Sequence, residues 1–242
     1  MKQRILKKLA ATLGRDESQP TYAQCGEDVI LRFLFNLLEI PSPTYLDIGA
    51  HHPSYLSNTY LFYKTGSRGV CVEPDPRLCE NIRKGRPHDT SLNIGIAAGG
   101  AGGNLTFYIF DDPTMNTFSE SVRDEQIQNG RKLVNELQVD VRSINDVIRT
   151  HFQGSCPNLV SLDTEGMDLA ILETLDFNTY RPEVFCIETL TNTDDRKMNE
   201  IIDFMVSKGY VIYSDTFVNT IFVEQDCWNQ WHARRRKQQA SK

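Results

Sequence analysis

The sequence has no uninterrupted apolar stretch of about 18 residues, the length a bilayer-spanning helix needs. It also lacks a secretory leader pattern, because the apolar part of Met1 to Gly14 is short and is broken by Lys2, Arg4, Lys7 and Lys8. Residues 1–21 are expected to form a basic helix or extension docked on the domain, and the protein is expected to be cytoplasmic. Cysteine is sparse. The six cysteines are scattered, with no C-x-x-C pair and no metal-ligand spacing, which excludes a disulfide framework and a thiolate metal centre and leaves reduced thiols. Positive charge is not in surplus: the formal net charge of −6 offers no electrostatic footprint for a nucleic-acid partner. The glycine cluster at 99–103 lacks the Gly-Lys-Ser/Thr that completes a P-loop, so it reads as a turn between strands.

What is present is an alternation of strand and helix patterns, which implies a mostly parallel sheet with helices on both faces. A helix spans about Ala23 to Glu39, with Val29, Ile30, Phe33, Leu34, Leu37 and Leu38 at helical spacing. Strands are expected at Thr44 to Ile48, Gly69 to Glu73, Thr90 to Ala97, Leu159 to Asp163 and Glu183 to Glu188. Asp111 to Arg131 reads as a long polar loop, of the kind that closes over a site. A helix from Asp194 to Lys208 leads into a hairpin of Tyr210 to Tyr213 and Thr220 to Glu224. Residues 22–225 thus make one domain, followed by a basic tail at 226–242 whose Arg234-Arg235-Arg236-Lys237 run reads as a solvated end.

Tyr45-Leu46-Asp47-Ile48-Gly49-Ala50-His51-His52-Pro53 reads as a strand, a carboxylate and a glycine turn. Glycine permits positive φ and lets a cofactor approach bare backbone. The later glycines of a G-x-G-x-x-G dinucleotide pattern are absent, their places held by His51 and Ser54. An acid here repels a pyrophosphate and suits a cationic cofactor such as S-adenosyl-L-methionine, which carries an ammonium and a sulfonium. Glu73 closes the second strand, where a carboxylate accepts ribose hydroxyls. Asn93 and Gly95 are placed to meet the adenine, Ala50 and Pro74 flank the cofactor turns, and Asn58 reaches the amino-acid portion or caps a helix. Asp163, Glu165 and Glu188 follow the fourth and fifth strands, where a proton acceptor for an attacking hydroxyl is needed; His51 and His52 are the alternatives. The three acids are also oxygen donors able to hold one Mg²⁺ against a sugar diol. Anchoring of substrate hydroxyls accounts for them without an ion, and no metal ligand is assigned.

An ordered set of short matches runs from Tyr22 to Val223: Gln24-Cys25-Gly26-Glu27-Asp28, Tyr45 to Pro53, Ser57-Asn58-Thr59, Gly69 to Pro74, Arg86-Pro87, Asn116-Thr117, Ser161 to Gly166, and Tyr180-Arg181-Pro182 to Glu188. In these the chain resembles the FkbM-type S-adenosylmethionine-dependent methyltransferases, with Thr164 where valine is frequent. The resemblance implies a class I methyltransferase, Rossmann-like fold with a seven-stranded sheet and a C-terminal antiparallel hairpin. It implies methyl transfer to a hydroxyl of a sugar, glycan or related natural product, with Asp47, Gly49 and Glu73 holding the cofactor. The rival readings are an NAD-dependent oxidoreductase and an inactive adenosylmethionine-binding module.

Overall fold

A computed structural model describes residues 20–99, 102–191 and 196–240. The expected helix within residues 1–21 and the Asp194-Asp195 helix start lie outside the described residues. The order of elements is α1 (Glu27–Leu37), β1 (Tyr45–Ile48), α2 (Tyr60–Lys64), β2 (Gly69–Val72), α3 (Pro76–Gly85), β3 (Thr90–Leu92), β4 (Gly95–Ile96) and β5 (Gly103–Phe110). There follow a 3₁₀ turn (Pro113–Met115), α4 (Glu120–Gln128), β6 (Leu133–Arg142), α5 (Ile144–His151), β7 (Leu159–Leu162), α6 (Asp168–Thr174), β8 (Val184–Glu188), α7 (Asn199–Ser207), β9 (Tyr210–Asp215), β10 (Asn219–Glu224) and α8 (Gln225–Ala240).

Seven strands form one sheet in the order β3-β2-β1-β7-β8-β10-β9. Its first five are parallel, and β10 and β9 close it antiparallel. This is the mostly parallel α/β sheet with a terminal hairpin of the class I methyltransferase fold. Period-two alternation divides each strand between two cores. Leu46, Ile48, Val160, Leu162, Phe185 and Ile187 face Val147, Ile148, Ile171, Leu172, Ile201 and Met205 from α5, α6 and α7. Tyr45, Leu159, Val184, Cys186, Ile221 and Val223 face Leu31, Leu34 and Phe35 of α1 and Phe62 of α2.

Three expectations change. Thr90 to Ala97 is two strands, because Asn93 breaks the run: its Nδ2 donates to the carbonyls of Glu73 (2.9 Å) and Pro74 (2.8 Å). β4 then leaves the main sheet and joins a three-stranded one, β4-β6-β5. Asp111 to Arg131 is not a loop but the 3₁₀ turn and α4, capped by the side chains of Asp112 and Ser119. The low apolar content of α4 hid it, since short helices take their stability from caps and packing rather than periodicity. Residues 225–240 form a helix rather than a free tail. Trp228 and Trp231 of α8 pack on the α1 core, and Arg234 bonds Glu39 at 3.1 Å. Among the described residues no helix is long and apolar enough to cross a membrane.

Candidate active site

Register places the site. Ile48 pairs with Val72 on one side and Leu162 on the other, and Leu162 pairs with Ile187. The next residue on each strand therefore stands at one level: Glu73, Gly49, Asp163 and Glu188. Chain connectivity reverses direction between β1 and β7, where such sheets open a ligand crevice. A crevice of about 1200 Å³, measured with its open mouth, lies there. Its walls include Gly49, His51, Asn58, Glu73, Pro74, Gly95, Asp163, Glu165 and Glu188, all expected from sequence. The 3₁₀ turn and its flank add Met115, Asn116 and Phe118.

Gly49 adopts φ +79°, and a Cβ there would stand 1.7 Å from the Asp163 carbonyl oxygen. The glycine is thus required by β7 backbone as much as by any ligand. Glu73 is 4% exposed and accepts the N–H groups of His51 and Asp75, both at 2.8 Å. Burial outweighs these two bonds and pushes its pKa up to about 7. Asp163 is also pushed up to about 7, first by burial and then by Asp168. Glu188 is raised well above the ordinary carboxylate range, by burial and the adjacent Asp163 charge. Burial and His52 hold His51 below the ordinary imidazole value, so it is neutral at pH 7.

Four expected positions are elsewhere. Asp47 is not a terminal residue of its strand: it pairs in register with Cys71 and Ser161, and its side chain belongs to the opposite face from Ile48. There it accepts a hydrogen bond from Thr59 Oγ1 and faces Arg86 Nη1 at 3.6 Å. Arg86 is fully buried, bonded to Thr59 Oγ1 (3.0 Å) and to Asp89 (2.8 Å), which Tyr45 also reaches (2.7 Å). The cation that Asp47 meets here is this guanidinium, and Asp47 is not part of the crevice wall. His52 Nδ1 accepts the N–H groups of Ser54 (3.1 Å) and Tyr55 (2.8 Å), so it braces the turn and has no free basic nitrogen. Asn93 is spent on the Glu73–Pro74 carbonyls rather than on an adenine. Ala50 is buried with its N–H on Val72 O at 3.1 Å. Ser57 Oγ, not Thr59, bonds the Tyr60 N–H at the start of α2, at 3.1 Å.

Two lining residues were not among the expected ligand groups, although Asn116 falls in one of the family matches. Asn116 Oδ1 accepts the Phe110 N–H at 2.9 Å, and its buried Nδ2 has no hydrogen-bond partner. Asn219 keeps an unpartnered buried Oδ1. Both residues line the crevice.

A mostly parallel sheet in this strand order, closed by an antiparallel hairpin, is the class I methyltransferase architecture. The chain belongs to the FkbM methyltransferase family: the model of the methyltransferase FkbM domain matches residues 47–212. Membership implies S-adenosylmethionine as methyl donor. The buried Glu73 carboxylate, the Gly49 and Gly95 walls and the Asn116 donor fit an adenosine-bearing group. Among curated proteins none matches the chain. Similar solved structures include a TehB-like SAM-dependent methyltransferase from Corynebacterium glutamicum, with 11% identity, coverage of 92% of this chain and 96% of that one, and TM-score 0.43. A second is a putative RNA methyltransferase from Pyrococcus horikoshii (15%; 93% and 99%; 0.40). A third is the O-methyltransferase from Bacillus cereus in complex with SAH (11%; 92% and 90%; 0.39). Family membership rests on the sequence match alone.

Proposed function

We propose that the protein methylates a hydroxyl oxygen of a sugar, glycan or related natural product. The observation that carries this reading is the single rim row. Glu73 and Gly49 occupy one half, while Asp163 and Glu188 occupy the adjoining half of the same crevice. S-adenosylmethionine, when bound, supplies an electrophilic methyl group. Glu73 accepts the ribose hydroxyls with its remaining lone pairs. Asp163, Glu165 and Glu188 receive acceptor hydroxyls and orient them. Asp163, with a pKa near 7, is a stronger base than an ordinary carboxylate, and neutral His51 is the other proton acceptor on the wall. Met115 and Phe118 line the crevice and would keep water from a seated acceptor.

The test is calorimetry with S-adenosylhomocysteine and with NAD, followed by turnover on a panel of sugars and glycans with labelled S-adenosylmethionine. Binding of the first ligand and labelled, base-stable methyl ether product are expected. Asp163→Asn should keep S-adenosylhomocysteine binding and lose about 10²-fold or more in turnover. Tight NAD binding without S-adenosylhomocysteine binding would end the proposal. Binding with no methyl transfer to any hydroxyl acceptor would favour the inactive binding module.

A further inference from the structure

We propose that the β7–β8–β10 end of the crevice binds one hard divalent cation, held by the carboxylates of Asp163, Glu165 and Glu188 and by Oδ1 of Asn219. One carboxylate oxygen from each acid lies within 4.8 Å of the others. Three clustered acids alone do not define a site; Asn219 supplies the independent observation. It is 4% exposed and lines the same crevice. Its Nδ2 donates to Glu27 Oε1 at 3.0 Å, and a carboxylate only accepts, so the amide orientation is settled. The remaining end is therefore the oxygen, buried with no hydrogen-bond partner. The hydrogen bond within this cluster runs between Glu188 and Asp163, so neither acid satisfies the amide oxygen. A cation satisfies it directly.

Topology explains how it comes to lie there. Asn219 is the cross-strand partner of Glu188 in the antiparallel β8–β10 pair. Directly opposed residues share a face, with Cβ atoms about 4.5–5.5 Å apart. Glu27 is the outer support. Its Oε1 also accepts from Thr216 Oγ1 (2.6 Å) and its Oε2 from Cys25 N–H (2.8 Å), so it is locked as an acceptor and pins the amide. Outer partners of this type fix metal ligands in other proteins.

Charge points the same way. Among the described residues the crevice lining contains three acids besides Glu73 and no Lys or Arg. An all-oxygen donor set selects Mg²⁺, Mn²⁺ or Ca²⁺ over soft metals. Its use rests on the methyl-transfer reading: a cation there binds two neighbouring acceptor oxygens, as in a vicinal diol, and acidifies the one to be methylated. With the acids then occupied as ligands, His51 is left to take the proton.

The experiment uses the full chain stripped with EDTA, titrated with Mn²⁺ and followed by electron paramagnetic resonance of the free ion. S-adenosylhomocysteine calorimetry runs on the same sample. One saturable Mn²⁺ per chain, displaced by Mg²⁺, is expected. Glu188→Gln and Asn219→Ala should each weaken Mn²⁺ binding at least about tenfold while S-adenosylhomocysteine binding, the folding control, persists. No saturable Mn²⁺ binding by a chain that binds S-adenosylhomocysteine overturns the cation site and leaves the methyl-transfer reading standing. Mn²⁺ binding unchanged in both variants overturns it as well, because the ion then sits elsewhere. Loss of S-adenosylhomocysteine binding alone, with Mn²⁺ still bound at these residues, counts against methyl transfer and not against the cation site. A stripped chain that binds neither sinks both.

Discussion

Replacing Gly49 by alanine separates two costs that are usually confounded, because Gly26 serves as its control. Both residues are left-handed, with φ +79° and +87°. An alanine in that region costs about 1–2 kcal/mol at either position. A Cβ on Gly26 meets nothing within 4 Å, whereas one on Gly49 lies 1.7 Å from Asp163 O and 2.9 Å from Asp163 C. Carbon contacts relax only at about 3.5 Å, so the β1 and β7 ends must part by well over 1 Å. The Asp163 N–Ile48 O bond spans that gap, and a displaced Gly49 also strains the bonds from Gly49 N and Ala50 N to Val72 O on β2, each at 3.1 Å. Disrupting two or three of these costs about 1 kcal/mol each. Gly49→Ala should therefore lose about 3–5 kcal/mol in urea unfolding, against about 1–2 for Gly26→Ala. It should also lose S-adenosylhomocysteine affinity, since the rim row is displaced. Equal stability of the two variants, with ligand binding intact in Gly49→Ala, would refute the idea that β7 backbone demands this glycine.

Other expectations follow from the buried charges. Glu73 has a folded pKa of about 7 against an ordinary 4.5, so the ligand-free protein holds its proton more tightly than the unfolded chain. Its contribution to stability is then full below about 4.5 and is lost as pH rises through about 7, a change of about 3 kcal/mol. Glu73→Gln should abolish that part of the pH dependence in urea unfolding; identical slopes for both proteins would contradict it. Ribose hydroxyls donate to the carboxylate, so S-adenosylhomocysteine affinity should rise about tenfold from pH 6 to pH 8 in wild type and stay flat in Glu73→Gln. Arg86→Met leaves Asp47 and Asp89 buried without their cation and should cost about 3–5 kcal/mol by chemical denaturation. Adding Asp89→Asn should restore part of it, and strictly additive losses would show that the two side chains do not act together.

The acids and the turn at Gly49 were legible because they are local. A parallel strand ends where its apolar run ends, and the next polar residue stands on the rim. That rule put Glu73, Asp163 and Glu188 into one crevice before any coordinates. It failed at Asp47 by one residue, since β1 continues through Ile48. In a pleated strand that single step turns the side chain to the other face, where Arg86 comes from the far end of α3. Periodicity also could not divide Thr90 to Ala97, because the break depends on Asn93 reaching carbonyls some twenty residues away.

Sequence by itself determined the alternating architecture, the terminal hairpin, the family and most of the crevice wall, all of which follow from patterns carried within single strands and turns. Tertiary structure alone decided which carboxylates line the crevice and which face Arg86. It also decided that His52 braces a turn and that Asn219, the cross-strand partner of Glu188, keeps a buried oxygen open. Those outcomes depend on pairing between segments, Glu27 with Asn219 or Glu188 with its cross-strand neighbour, and no single segment encodes its partner.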